Sequence, residues 1–192
     1  MSLILIATAA LSFVPSPMIN HDSVRKVLCK EGQGTAFVIG TGILATAEHV
    51  GELTSCKDAE TGEPYTTYHR DGLRDFALLS GNTRSLKPLP YDCTRFKTGQ
   101  SYFSFGYGRG RYMVHHLIAG AEYSPEDLQV GEDMFGWGGM RFLTGLIVGG
   151  QSGGPVTDEN GNVVGINNVS NEGSRAYSYE LADTILCKRP PL

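Results

Sequence analysis

The stretch Gly149-Gly150-Gln151-Ser152-Gly153-Gly154-Pro155 constrains this chain more than any other. Four glycines and a proline around one serine disfavour both a helix and a strand interior. They suit a tight loop whose backbone comes close to another group. A serine hydroxyl is a weak nucleophile until a base takes its proton. Glycines leave room for backbone N–H groups to converge on the oxyanion formed by attack on a carbonyl. An ordinary Gly-rich turn is the alternative, and the rest of the chain decides between them.

The surrounding pattern is that of short strands. Twenty-five glycines in 192 residues, set between Val/Ile/Leu/Phe/Tyr runs, predict many strands joined by tight turns. Val24–Cys29, Thr35–Ile39 and Ile43–Thr46 read as an antiparallel meander, followed by Tyr65–Tyr68 and Phe76–Leu79. Residues 81–98, with Pro88 and Pro90, read as a crossover linker. The pattern then restarts at Ser101–Phe105 and Tyr112–Ile118, around the Gly106–Gly110 turn, and continues at Arg141–Leu146, Val163–Asn168 and Arg175–Tyr179. No Walker lysine follows Gly106–Gly110, so it is a hairpin and not a phosphate loop. Leu181–Lys188 reads as a short terminal helix. The expectation is an all-β chain of two small barrels, at residues 22–98 and 99–192.

A serine nucleophile needs a base, and the base needs an orienting acid. His49 stands just past the apolar strand ending at Thr46, where a strand end presents a side chain to a cleft. Asp75 opens the apolar run Asp75-Phe-Ala-Leu-Leu79. A carboxylate at the start of a buried strand needs partners, and an imidazole N–H is a suitable one. Asp71 is the other candidate, but Gly72 beside it gives it a turn to belong to.

The apolar run Leu3–Val14 is too short to span a bilayer and suits a signal peptide over residues 1–20, with a packed hydrophobic arm as the alternative. Export to a secreted or periplasmic location predicts two disulfides among Cys29, Cys56, Cys93 and Cys187, whereas a cytoplasmic chain without a signal peptide would keep four small buried thiols. Of the three pairings, Cys29–Cys56 with Cys93–Cys187 is preferred: one bracket encloses His49 and the other ties the C-terminus to the middle of the chain. The net charge of −4 and the lack of a dense basic run argue against nucleic acid. No metal-ligand motif occurs, and His115-His116 point to opposite strand faces, so no cofactor is expected. The expected partner is a polypeptide substrate, the expected state a monomer without stable membrane insertion. The acidic segment around Glu126–Asp133 reads as a solvated loop.

Ala45-Thr-Ala-Glu-His49, Asp75-Phe-Ala-Leu-Leu79 and Gly150-Gln-Ser-Gly-Gly-Pro155 resemble the three signature blocks of the chymotrypsin/trypsin-like serine peptidases, in that family's His, Asp, Ser order. The pattern is nearest to bacterial or viral members. Gly34-Thr-Ala-Phe-Val-Ile39 and Gly161-Asn-Val-Val-Gly-Ile-Asn167 resemble flanking family strands. The resemblance implies two six-stranded β-barrels with the active site between them. It implies Ser152 as nucleophile, His49 as general base and Asp75 as orienting carboxylate. Backbone N–H groups of Gly150 and Ser152 would form the oxyanion hole, and Asn168, Val169 and Ser170 a strand edge for the substrate backbone.

Four residues depart from the family pattern. Glu48 replaces a small residue, and either faces solvent or acts on His49. Gln151 replaces an aspartate that pairs with a freed N-terminal ammonium in digestive members, so activation by that route is not expected. Leu146 stands where trypsin-like members carry an acid, which implies a neutral, small or aliphatic P1 residue. Asn168 stands near a serine that often supports the triad aspartate. A lipase-type elbow is excluded because its histidine follows the serine, and no histidine follows Ser152. The remaining rivals are a non-catalytic binding protein on this scaffold, and a peptidase acting only on itself or one partner.

Overall fold

Apolar residues on both faces of the strands at 33–46 and 76–80 dictate the architecture. In a computed structural model of the chain, which describes residues 15–51, 55–120, 141–171 and 175–188, the first half forms strands β1 (Val24–Leu28), β2 (Gln33–Gly40), β3 (Ile43–Thr46), β4 (Lys57–Asp58), β5 (Thr66–Asp71) and β6 (Phe76–Ser80). They make one sheet, ordered β4-β1-β2-β3-β6-β5. Register links Phe37 to Ala45 and Ala45 to Leu78 across one face. On the other face it links Val38 to Leu44 and Leu44 to Leu79. The first row packs with Val163, Ile166 and Leu181 of the second half. The second row packs with Val27, Ala36 and Val50 of its own half. The period of two thus sends alternate residues into two different cores. That is why these strands read as apolar runs without a polar face.

The second half comprises β7 (Ser101–Gly108), β8 (Arg111–Ala119), β9 (Arg141–Thr144), β10 (Pro155–Thr157), β11 (Val163–Asn171) and β12 (Arg175–Glu180). These close into a barrel, β10-β11-β12-β9-β8-β7, around Tyr102, Leu117, Leu143, Val156 and Val164. Of the two barrels expected, the second is closed and the first is a half-barrel sheet with β4 and β5 at its edges. β7 and β8 run straight through Gly106 and Gly108, leaving Arg109-Gly110 as a two-residue turn. β4 and β10 are additions to the expected strands. The terminal helix is a 3-10 turn, Leu181–Asp183, followed by the short helix Ile185–Lys188.

Residues 81–98 carry no long strand but stitch the halves together. Leu89 donates its N–H to Val38 O, and Asp92 donates to Val163 O, both at 2.9 Å. Disulfides Cys29–Cys56 and Cys93–Cys187 are both formed, as preferred from the sequence. At the β4 edge, Asp58 accepts bonds from Arg25 Nε and Nη2 and from Tyr65 Oη, at 2.6–2.8 Å. Residues 1–14 and the acidic 126–133 segment lie outside the described residues. Among the described residues no helix is long and apolar enough to cross a membrane.

Candidate active site

His49 sits on α1 (Glu48–Gly51), a single helical turn that begins just past β3. Val50 and Gly51 donate their N–H groups to Ala47 O, and buried Val50 pins the turn to the core. The His49 side chain keeps about a third of its surface exposed. Its neighbour Glu48 is only 8% exposed, so the solvent-facing alternative for that residue does not hold.

Asp75 follows the 3-10 turn Gly72–Arg74 and adopts a left-handed backbone, φ 42° and ψ 49°. Non-glycine residues rarely do so, and Asp is among those that tolerate it. The twist delivers a fully buried carboxylate to His49. Oδ1 accepts the His49 backbone N–H and Oδ2 the ring Nδ1–H, both at 2.8 Å. A carboxylate only accepts, so the ring proton is held on Nδ1 and Nε2 is left as the basic nitrogen. Asp71 is engaged elsewhere, in a 2.8 Å ion pair with Arg74.

The Gly-rich loop is driven into the sheet of the first half. A Cβ on Gly153 would lie 2.1 Å from Thr46 Oγ1 and 2.2 Å from Thr35 O. One on Gly154 would lie 2.1 Å from Phe105 O. Only glycine permits either approach. Gln151 is fully buried, and its Oε1 accepts the Val148 N–H at 2.9 Å. The neutral amide thus closes its own turn. The N–H groups of Gln151, Gly153 and Gly154 are bonded to Val148 O, Asn167 O and Gln151 O. Those of Gly150 and Ser152 donate to no acceptor among the described residues. Stabilising an oxyanion requires backbone donors that no protein acceptor occupies.

Ser152 Oγ donates to Asn168 O at 2.7 Å. This bond was not foreseen. Asn168 itself is buried, and its amide oxygen and nitrogen have no partner among the described residues. β11 pairs with β10 only as far as Ile166, while β12 follows it to Asn171. On the β10 side, residues 168–170 therefore pair with no strand among the described residues, and Asn168 O there accepts the Ser152 hydroxyl. Leu146 is 44% exposed on the segment between β9 and the loop. Thr35, read from the sequence only as a strand residue, reaches the loop directly. Its N–H donates to Ser152 O and its Oγ1 to Gly150 O, both at 2.8 Å. The available sign was a polar residue at the head of the apolar run 36–39.

A closed six-stranded barrel beside a half-barrel sheet is the chymotrypsin-like architecture. The chain belongs to the trypsin-like peptidase domain family, whose model matches residues 34–166, and is therefore a serine endopeptidase. The fold is similar to the active form of the Rv3671c protease from M. tuberculosis, with TM-score 0.72 and 21% identity, covering 100% of this chain and 97% of that one. It is also similar to a serine endoprotease from Yersinia pestis, with TM-score 0.66 and 20% identity over 83% of this chain and 59% of that one. The HtrA-type protease AlgW with a tripeptide gives TM-score 0.68 and 21% identity over 82% of this chain and 56% of that one. No curated protein matches the chain in sequence.

Proposed function

We propose that the chain hydrolyses peptide bonds through an acyl-enzyme formed on Ser152, with His49 as base and Asp75 as orienting carboxylate. The observation that carries this reading is the two-point grip of Asp75 on His49, at 2.8 Å twice. Substrate binding displaces the Ser152 hydroxyl from Asn168 O toward His49 Nε2. His49 then takes the hydroxyl proton as Oγ bonds to the substrate carbonyl carbon. The carbonyl oxygen gains the negative charge and is met by the Gly150 and Ser152 N–H groups. Collapse of this intermediate breaks the C–N bond, and His49 returns the proton to the leaving amine. Water, deprotonated by His49, releases the acyl group by the same steps.

The backbone of Asn168, Val169 and Ser170, which on the β10 side pairs with no described strand, supports substrate addition as an extra strand. The exposed apolar Leu146 supports a neutral, small or aliphatic P1 residue. The two disulfides support an exported protein acting in an oxidising compartment. We also assign the monomer as the working state. The test is digestion of an unfolded polypeptide, with cleavage sites mapped by mass spectrometry. Wild type should cut after neutral residues and His49→Ala should not cut. Cleavage confined to Arg or Lys would overturn the specificity, and equal cleavage by His49→Ala would overturn the mechanism.

A further inference from the structure

Thr35 belongs to β2 in the first half, yet all but one of its polar contacts are with the second. Its side chain is fully buried. Its Oγ1 accepts the Tyr107 N–H at 2.9 Å and donates to Gly150 O at 2.8 Å. Because Tyr107 occupies a lone pair, the single hydroxyl proton is directed to Gly150 O. The absence of a side chain on Gly106 makes room, since a Cβ there would lie 3.0 Å from Thr35 Oγ1. The Thr35 backbone is equally engaged: its N–H donates to Ser152 O, and its C=O accepts Thr46 Oγ1 at 2.7 Å.

The consequence lies in the peptide unit joining Gly150 to Gln151. Its C=O is held by Thr35 Oγ1, and its N–H is held by Val148 O at 3.0 Å. Both ends of one rigid plane are fixed. Gly150 N–H and Ser152 N–H, which donate to no acceptor among the described residues, belong to the peptide units on either side of that plane. Those flanking units are held at their own C=O groups, Gly149 O by the Arg109 N–H and Gln151 O by the Gly154 N–H, both at 2.9 Å, and the middle peptide is the link that fixes one relative to the other. Gly150 is a poor keeper of its own geometry, with φ at +98° and no side chain to restrict it. Restraint on this residue comes from outside the loop as well, through Thr35 Oγ1 on Gly150 O and the Arg109 N–H on Gly149 O.

We propose that Thr35 is the positioning residue that sets the oxyanion hole, acting from one half of the molecule on the nucleophile loop of the other. The proposal rests on the oxyanion role of Gly150 and Ser152 given above. Its chemical content is that the Thr35 hydroxyl serves the transition state and not the bound substrate. Dissociating the halves, or turning the Gly150–Gln151 peptide, would disarm the site with His49 and Asp75 still paired.

The experiment compares Thr35→Val, Thr35→Ser and Thr184→Val with wild type by steady-state kinetics, with folding checked by circular dichroism. Thr184 is a buried threonine whose hydroxyl bonds Leu181 O, outside the site, and it controls for loss of a buried hydroxyl. Thr35→Val should lower kcat by roughly 10- to 100-fold, approaching the loss of one oxyanion donor, with KM changed by less than about threefold. Thr35→Ser should restore kcat to within about threefold of wild type. Thr184→Val should leave kcat unchanged. Thr35→Ala is read in the same way if the valine variant does not fold. Wild-type kcat in Thr35→Val or Thr35→Ala, or a loss confined to KM, would overturn the proposal. An inactive wild type would instead overturn the peptidase mechanism on which it rests.

Discussion

Asp75 holds His49 by both its backbone and its ring, one carboxylate oxygen to each, at 2.8 Å. The backbone bond fixes where α1 begins, and the ring bond fixes which nitrogen carries the proton. A single carboxylate therefore sets both the position and the tautomer of the imidazole.

Asp75→Asn keeps the shape but offers an amide N–H where an acceptor is needed, which favours the wrong tautomer. We expect kcat to fall by roughly 10³- to 10⁴-fold, while Asp71→Asn, which breaks only the Arg74 pair, changes it by less than about threefold. Steady-state kinetics on one peptide substrate checks both. The reverse ranking would transfer the orienting role to Asp71.

Gln151 closes its turn through the Val148 N–H and carries no charge to meet an ammonium group. Protein with an N-terminal extension should match protein trimmed ahead of Pro15 in kcat/KM, within about twofold. Activity that appears only on trimming would show that a freed N-terminus orders the loop after all.

The Asp58 site makes the first half sensitive to acid. Burial alone would raise its carboxyl, but hydrogen bonds from Arg25, Tyr65, Thr61 N–H and Glu60 N–H outweigh burial and hold it well below the usual carboxylate range. A depressed folded value contributes stability above the unfolded pKa of about 3.9 and loses it as pH falls below that. Denaturant midpoints measured at about pH 7, 5 and 3 should fall mostly over the last interval. Asp58→Asn should start less stable by roughly 3–5 kcal/mol, having broken a buried pair, and should fall less between pH 5 and 3. Parallel curves for the two proteins would rule out this carboxylate as the acid-labile group.

What the sequence showed and hid has a physical pattern. The His49–Asp75 contact was legible, and Ser152 stood out as a candidate, because each of these polar residues interrupts or borders an apolar or glycine-rich run. The long strands were legible through their apolar content. β4, only Lys57–Asp58, was not, because the Asp58 pair with Arg25 lies 33 residues away. β10 opens on Pro155 and spans three residues, so no period could develop. Gly106 and Gly108 read as turn residues, yet they lie in a strand because Gln151, Val148 and Thr35 pack against them. Thr35 was hidden for the same reason: its partners Tyr107 and Gly150 are 72 and 115 residues distant.

The most direct test of the account is reaction with a fluorophosphonate probe, wild type beside Ser152→Ala. The probe needs an activated serine and donors for the developing charge on the phosphoryl oxygen, but no knowledge of the substrate. We predict stoichiometric labelling of the wild type at Ser152, located by peptide mass, and none of Ser152→Ala. A folded wild type that stays unlabelled, or a Ser152→Ala protein that labels equally, would contradict the assignment of this serine as the nucleophile.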